Sequence, residues 1–211
     1  MKINYKIINQ AFHLVTKLSS LYNIDESHSL RHSLDVFHNA CGIYQNEIYS
    51  SPFLKEQQNE IFCSAILHDM CDKKYTDPTT ALKLINLNMG NYLNYQELDV
   101  VNNIVSQMSY SHVKQYGYPN LENYNLAYHI VREADLLAAY DVERCFVYKI
   151  NNEKDTYQQT YTDVLNLFEN RVLQYIDDGL FVTEYSKIKA KKLHDEAIKR
   201  LDEIKKINLL F

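Results

Sequence analysis

What most constrains this chain is how few of its residues break a helix. Across 211 residues there are only 4 glycines and 3 prolines. Glycine supplies left-handed turn positions and proline stops helices, so few tight turns or hairpins can be built. An all-α architecture is the expectation. Apolar residues at helical spacing agree with it: Tyr5, Ile8, Phe12, Val15 and Leu18 predict a first helix over residues 5–22. A polar break at Asn23 to Ser27 precedes a second helix over 28–48. Ser51-Pro52 reads as the N-cap and first residue of a third, because proline there loses no needed hydrogen bond.

Thr76-Asp77-Pro78 marks a turn, with a short helix over 81–87 behind it and another marked by Leu98, Val101, Val105 and Met108. Residues 110–125, with Gly117 and Pro119, read as a loop. Residues 126–150 are apolar on more than one face and predict a central, buried helix. A polar link over 151–155 leads to a helix through Tyr161, Val164, Phe168, Val172 and Tyr175, closed at Asp177-Asp178-Gly179 by a glycine C-cap. Thr183 opens a last amphipathic helix through Leu193, Ala197, Leu201 and Ile204. Its stripe, with the terminal Ile207-Asn208-Leu209-Leu210-Phe211, is expected to pack on its own bundle, the alternative being a second copy in a homodimer. No repeat or interior linker divides the chain, so residues 1–211 are read as one domain, the helices over 156–211 packing on the rest.

Charge and cysteine usage narrow the function classes. A net charge of −5 argues against binding duplex nucleic acid. No apolar run approaches a membrane span, and the N-terminus leads into an amphipathic pattern rather than an apolar signal core. Cys41, Cys63, Cys71 and Cys145 form no C-x-x-C pair, so a reduced, cytoplasmic protein is expected.

The stretch Ala65-Ile66-Leu67-His68-Asp69-Met70-Cys71-Asp72-Lys73-Lys74-Tyr75 begins as an apolar helix and ends in charge. Burying a His-Asp pair there is costly unless something pairs with it, and imidazole with carboxylate suits a divalent ion. His32 on the second helix and Asp135 on the buried helix are set in similarly apolar surroundings. Two imidazoles and two carboxylates from three helices can enclose one ion and leave positions for water.

His32, the His68-Asp69 doublet and Asp135 resemble the H…HD…D signature of the HD-domain metal-dependent phosphohydrolases. The resemblance spans residues 27–144 and includes the settings His32-Ser33-Leu34-Asp35-Val36 and Arg132-Glu133-Ala134-Asp135-Leu136-Leu137-Ala138-Ala139-Tyr140. It implies an all-helical bundle with the metal between helices, and His32, His68, Asp69 and Asp135 as ligands of one divalent ion (Mn, Fe, Co, Ni, Mg or Zn). The implied reaction is attack of metal-activated water on a phosphomonoester, a nucleotide or another small phosphorylated metabolite. Asp69 would orient that water, and Asp72, three residues on, would move protons. Asp77 matches a further carboxylate of the nucleotidase branch. Where that branch often carries an acidic residue before its first histidine, this chain has Arg31.

Phosphate requires cations and donors. Lys73 and Lys74 follow the acid, Arg132 precedes Asp135 by about one helical turn and His28 stands one turn before His32, while His112 is a candidate at the pocket mouth. Two-metal relatives, oxygenases and phosphodiesterases among them, insert two further histidines before the final Asp. Only His112 and His129 lie in that interval, so one ion is favoured over two. The other alternative is a catalytically silent module that binds metal and nucleotide. Leu193-His194-Asp195 repeats the doublet on a solvated, lysine-rich face and is read as an imitation.

Overall fold

The computed structural model describes residues 4–153 and 156–208. Among them are ten α-helices, joined by short 3₁₀ turns, and no strand. In chain order they are α1 Tyr5–Tyr22, α2 Leu30–Glu47, α3 Gln58–Leu67, α4 Pro78–Met89, α5 Tyr95–Gln107, α6 Tyr110–Tyr116, α7 Asn125–Ala138, α8 Val142–Glu153, α9 Tyr157–Asn170 and α10 Glu184–Asn208. The chain is an all-α helical bundle. No helix among the described residues is long and apolar enough to cross a membrane.

Local chemistry accounts for the helix ends. Asn23 closes α1 in the left-handed region at φ 51°, which asparagine tolerates better than most residues. Asn94 and Glu97 form a reciprocal capping box at the start of α5. Asp77 accepts from the Thr80 N–H, and Pro78 takes the first helical position of α4. Thr183 accepts from the Ser186 N–H and opens α10.

The structure departs from the sequence expectations at five places. The helix expected through Val172 and Tyr175 ends at Asn170 and a separate 3₁₀ turn, Val172–Gln174, follows, so Gly179 caps no α-helix. The segment 110–125 is not a plain loop, because Ser109 caps the Tyr110–Tyr116 helix by accepting from the His112 N–H. The long helix over 126–150 is two helices. Asp141 accepts from the Arg144 N–H at 3.0 Å and so caps a new start. The second helix is preceded by a separate 3₁₀ turn, Glu26–His28. Ser51 makes no side-chain cap, and Pro52 opens a 3₁₀ turn, Pro52–Lys55, ahead of α3. Lys154-Asp155 of the polar link and the terminal Leu209-Leu210-Phe211 lie outside the described residues.

Helix α3 forms the axis of the bundle. Nine of its ten residues are buried, and it packs on α1, α2, α5 and α7, while α2 also packs on α7. Helix α10 is pinned to α7 by one buried carboxylate. Glu133 accepts from the N–H groups of Val182 and Thr183 and from the Thr183 hydroxyl, and its second neighbour is Arg132 at 3.6 Å. A wholly buried carboxylate is tolerable when satisfied in this way. Leu201 and Ile204 of α10 are buried against the same core.

Candidate metal centre

Three elements of the bundle present their polar side chains to one point. His32 is the third residue of α2, His68 and Asp69 begin the 3₁₀ turn His68–Cys71 that follows α3, and Asp135 lies on α7. Because α3 is buried on nearly every side, its end lies inside the molecule, and the tighter 3₁₀ turn directs two successive side chains to the same place. His32 Nε2 and His68 Nε2 are 3.0 Å apart. Asp69 Oδ2 lies 3.4 Å from His32 Nε2 and 3.3 Å from His68 Nε2. Asp135 Oδ1 lies 3.3 and 3.6 Å from the same two nitrogens.

Counting protons tests whether a cation fits. His68 Nδ1 lies 2.9 Å from the Ala65 carbonyl, which can only accept, so Nδ1 carries the proton and a neutral His68 turns a bare lone pair on Nε2 to the cluster. His32 Nδ1 and Asp69 Oδ2 are buried with no hydrogen-bond partner. Four electron-pair donors thus converge with fewer protons than contacts. A divalent ion would answer lone pairs that meet in this way, and His32, His68 and Asp135 offer ligand atoms within 4.8 Å of one another that could hold one. Without an ion, protons take its place. Burial lowers His68, but the charges of Asp69 and Asp135 outweigh it and raise the imidazole to about 9. Burial and the Arg144 charge lower His32. Burial raises Asp69 and Asp135, but the two imidazoles reverse it, holding Asp69 well below the usual carboxylate range and Asp135 at about 2.

A second network buttresses the first. The Ser27 and Tyr75 hydroxyls both donate to Asp25, the latter at 2.5 Å. Ser27 Oγ and Tyr75 Oη also lie 2.7 and 3.2 Å from His28 Nδ1. With each hydroxyl proton directed to Asp25, both oxygens are acceptors toward His28. The His28 ring stacks edge-on against His32 and Tyr148, at 6.1 and 5.1 Å between centroids. Lys74 lies over Tyr148 at 5.3 Å, and Arg144 donates to the Ser27 carbonyl at 3.0 Å.

The remaining sequence candidates are dispersed. Asp72 is half-buried; it accepts from the Lys74 N–H at 2.9 Å and lies 3.6 Å from Lys74 Nζ. Lys73 is exposed. Asp77 is exposed and occupied in capping α4, where the Thr80 hydroxyl and N–H lower it. His112 is half-buried on α6 with its ring against Tyr116. Arg132 is buried in the core, donating to the Leu180 carbonyl at 2.5 Å and paired with Glu133, so its charge is already answered. His129, the other histidine of that interval, faces Arg132 and Tyr118. His194 and Asp195 sit on α10, half-buried and exposed, with no acidic or imidazole cluster around them among the described residues.

Sequence reasoning missed Asp25, Tyr75, Tyr148 and Arg144. The one local signal for the last two is Asp141 as an N-cap, which starts α8 anew and sets both residues against the 3₁₀ turn that carries His28. Two surface clefts, of about 360 and 630 Å³, are lined by none of the four cluster residues, so donor geometry and not a hollow marks the site. No protein-family model matches the chain, and no curated protein matches it either.

Proposed function

We propose that this chain is a metal-dependent phosphohydrolase of the HD-domain type, acting on a phosphate ester of a nucleotide or another small metabolite. The observation that carries the reading is the convergence of His32, His68, Asp69 and Asp135, two imidazoles and two carboxylates with too few protons among them. A divalent ion held there would supply a Lewis acid for a phosphoryl oxygen and lower the pKa of water. Asp69 and Asp135 hold negative charge beside the point of attack, and Asp69 orients the attacking water. His68 is aligned for its part by the Ala65 carbonyl. Asp72, kept near the turn by Lys74, is the candidate for moving a proton at the leaving oxygen. Of the predicted phosphate contacts, Lys73, Lys74 and His28 lie within five residues of a ligand, while Arg132, nearer still to Asp135, is already paired with Glu133.

The reading is tested by incubating the protein with Mn, Co, Ni, Mg, Fe or Zn and a panel of phosphorylated metabolites, and measuring phosphate release. Turnover is expected with at least one metal and is expected to fall to background in His68→Ala and Asp69→Ala. No turnover with any metal, or equal turnover by these variants, overturns it.

A further inference from the structure

Asp25 is the hub of a network in which every proton has one place to go, and that placement decides what His28 can do. Asp25 Oδ1 accepts from the Ser27 N–H at 2.9 Å and from the Ser27 hydroxyl, while Oδ2 accepts from the Tyr75 hydroxyl at 2.5 Å. An ionised carboxylate has no proton to give, so both hydroxyls direct theirs to it. His28 Nδ1 faces the same two oxygens, 2.7 Å from Ser27 Oγ and 3.2 Å from Tyr75 Oη. Two acceptors opposite one ring nitrogen require the proton to sit on that nitrogen. A neutral His28 is then bare at Nε2, which lies across the ring from the network and makes no hydrogen bond among the described residues.

The ring is held where that matters. His28 is only 14 % exposed, set edge-on against His32 and Tyr148 and tilted against Tyr75 at 5.7 Å. The network also joins two parts of the chain that lead to and from the cluster. Asp25 caps the 3₁₀ turn Glu26–His28 that runs into α2 and His32. Tyr75 lies in the turn that follows His68–Cys71, where its N–H donates to the Asp72 carbonyl at 3.0 Å. One carboxylate, answered by three donors, therefore fixes both the place and the proton of an imidazole that touches a cluster histidine. A bare Nε2 cannot donate to a phosphoryl oxygen; it accepts from an O–H.

We propose that Asp25 is a positioning residue which, through the Ser27 and Tyr75 hydroxyls, fixes His28 in the Nδ1–H tautomer, so that His28 serves the cluster as an acceptor for a water proton and not as a phosphate contact. The use of that acceptor in turnover rests on the hydrolase reading; the tautomer does not.

The tautomer is read from the ¹⁵N shifts of histidine-labelled protein, metal-free and loaded with diamagnetic Zn, above about pH 8, where an ordinary imidazole is neutral. The His28 signals are identified by their loss in His28→Gln. Wild type is expected to carry the proton on Nδ1. In Asp25→Asn an NH₂ group replaces one acceptor oxygen, so one hydroxyl must turn its proton to Nδ1, and the ring proton is expected on Nε2. A wild-type proton on Nε2 overturns the proposal whether or not any variant folds, and so does an Nδ1 proton retained in Asp25→Asn. With Mn and the best ester, Asp25→Asn is expected to lower kcat at least about tenfold, with KM and chelator-measured metal affinity within about twofold of wild type. An unchanged kcat overturns the role of the acceptor and leaves the hydrolase standing. A tautomer that Asp25 controls, in a protein that turns over no ester, keeps the positioning and removes the hydrolase.

Discussion

His68 is held from both sides of its ring: the Ala65 carbonyl takes the Nδ1 proton, and Asp69 and Asp135 face Nε2. In the metal-free protein burial lowers this imidazole, but the two carboxylates win and keep it protonated up to about 9. The folded value exceeds the ordinary 6.5, so the pairing stabilises the metal-free fold fully below about pH 6.5 and fades as pH rises through about 9. A metal ion requires the bare nitrogen and must displace that proton. Apparent metal affinity should therefore rise about tenfold per pH unit between about 6.5 and 9, with one proton released per ion. Competition against a chelator of known affinity measures it, and an affinity flat across that window would count against His68 as a ligand. At this scale the sequence was informative about the cluster, because His and Asp in apolar helices are conspicuous. It was uninformative about the contact of Tyr75 with Asp25, which joins segments far apart in the chain, and for Arg144 it offered only the Asp141 cap.

Helix α3 shows where periodicity stops helping. A helix buried on all sides has no polar stripe to read, and it carries Glu60 inside, 3 % exposed with Oε2 unpartnered. Burial, reinforced by the Glu97 charge, raises this carboxyl from 4.5 to about 7. The folded protein holds the proton more tightly than the unfolded chain, so stability is greatest below about pH 4.5 and falls as pH rises through about 7. Glu60→Gln should remove that fall. In urea titrations it is expected to be about 2–3 kcal/mol more stable than wild type at pH 8 and nearly equal to it at pH 4. Equal stability at both pH values would mean the carboxyl is solvated. The split between α7 and α8 escaped for a related reason. Apolar residues run through Tyr140 without a glycine or proline, and the break depends on one aspartate capping an N–H three residues on, a signal weaker than the hydrophobic run around it. The Tyr110–Tyr116 helix was hidden by its neighbours Gly117 and Pro119, which mark its end rather than a loop throughout.

For the molecule as a whole, the cluster joins α2, the turn after α3 and α7, and those helices are also the ones packed together at the core. The all-α class followed from the scarcity of glycine and proline, because the backbone had few other ways to satisfy its hydrogen bonds; the packing of α8 against the turn that carries His28 depended on tertiary contacts that no local residue choice encodes. An ion that binds only the folded bundle stabilises it by mass action, about 2.7 kcal/mol at a hundredfold excess over Kd. For a chain of this size that corresponds to a rise in Tm of roughly 5–10 °C. Thermal melts over a Mn or Zn titration should show Tm climbing with the logarithm of metal concentration and returning to the metal-free value on adding a chelator. In Asp135→Ala the climb should vanish, because the cluster loses a ligand and its most exposed edge. In His194→Ala the climb should persist, because His194-Asp195 lies on α10 outside the cluster. A wild-type Tm blind to metal would remove the ion from the centre of the bundle. A climb lost in His194→Ala but kept in Asp135→Ala would move the site to the helix that burial argues against.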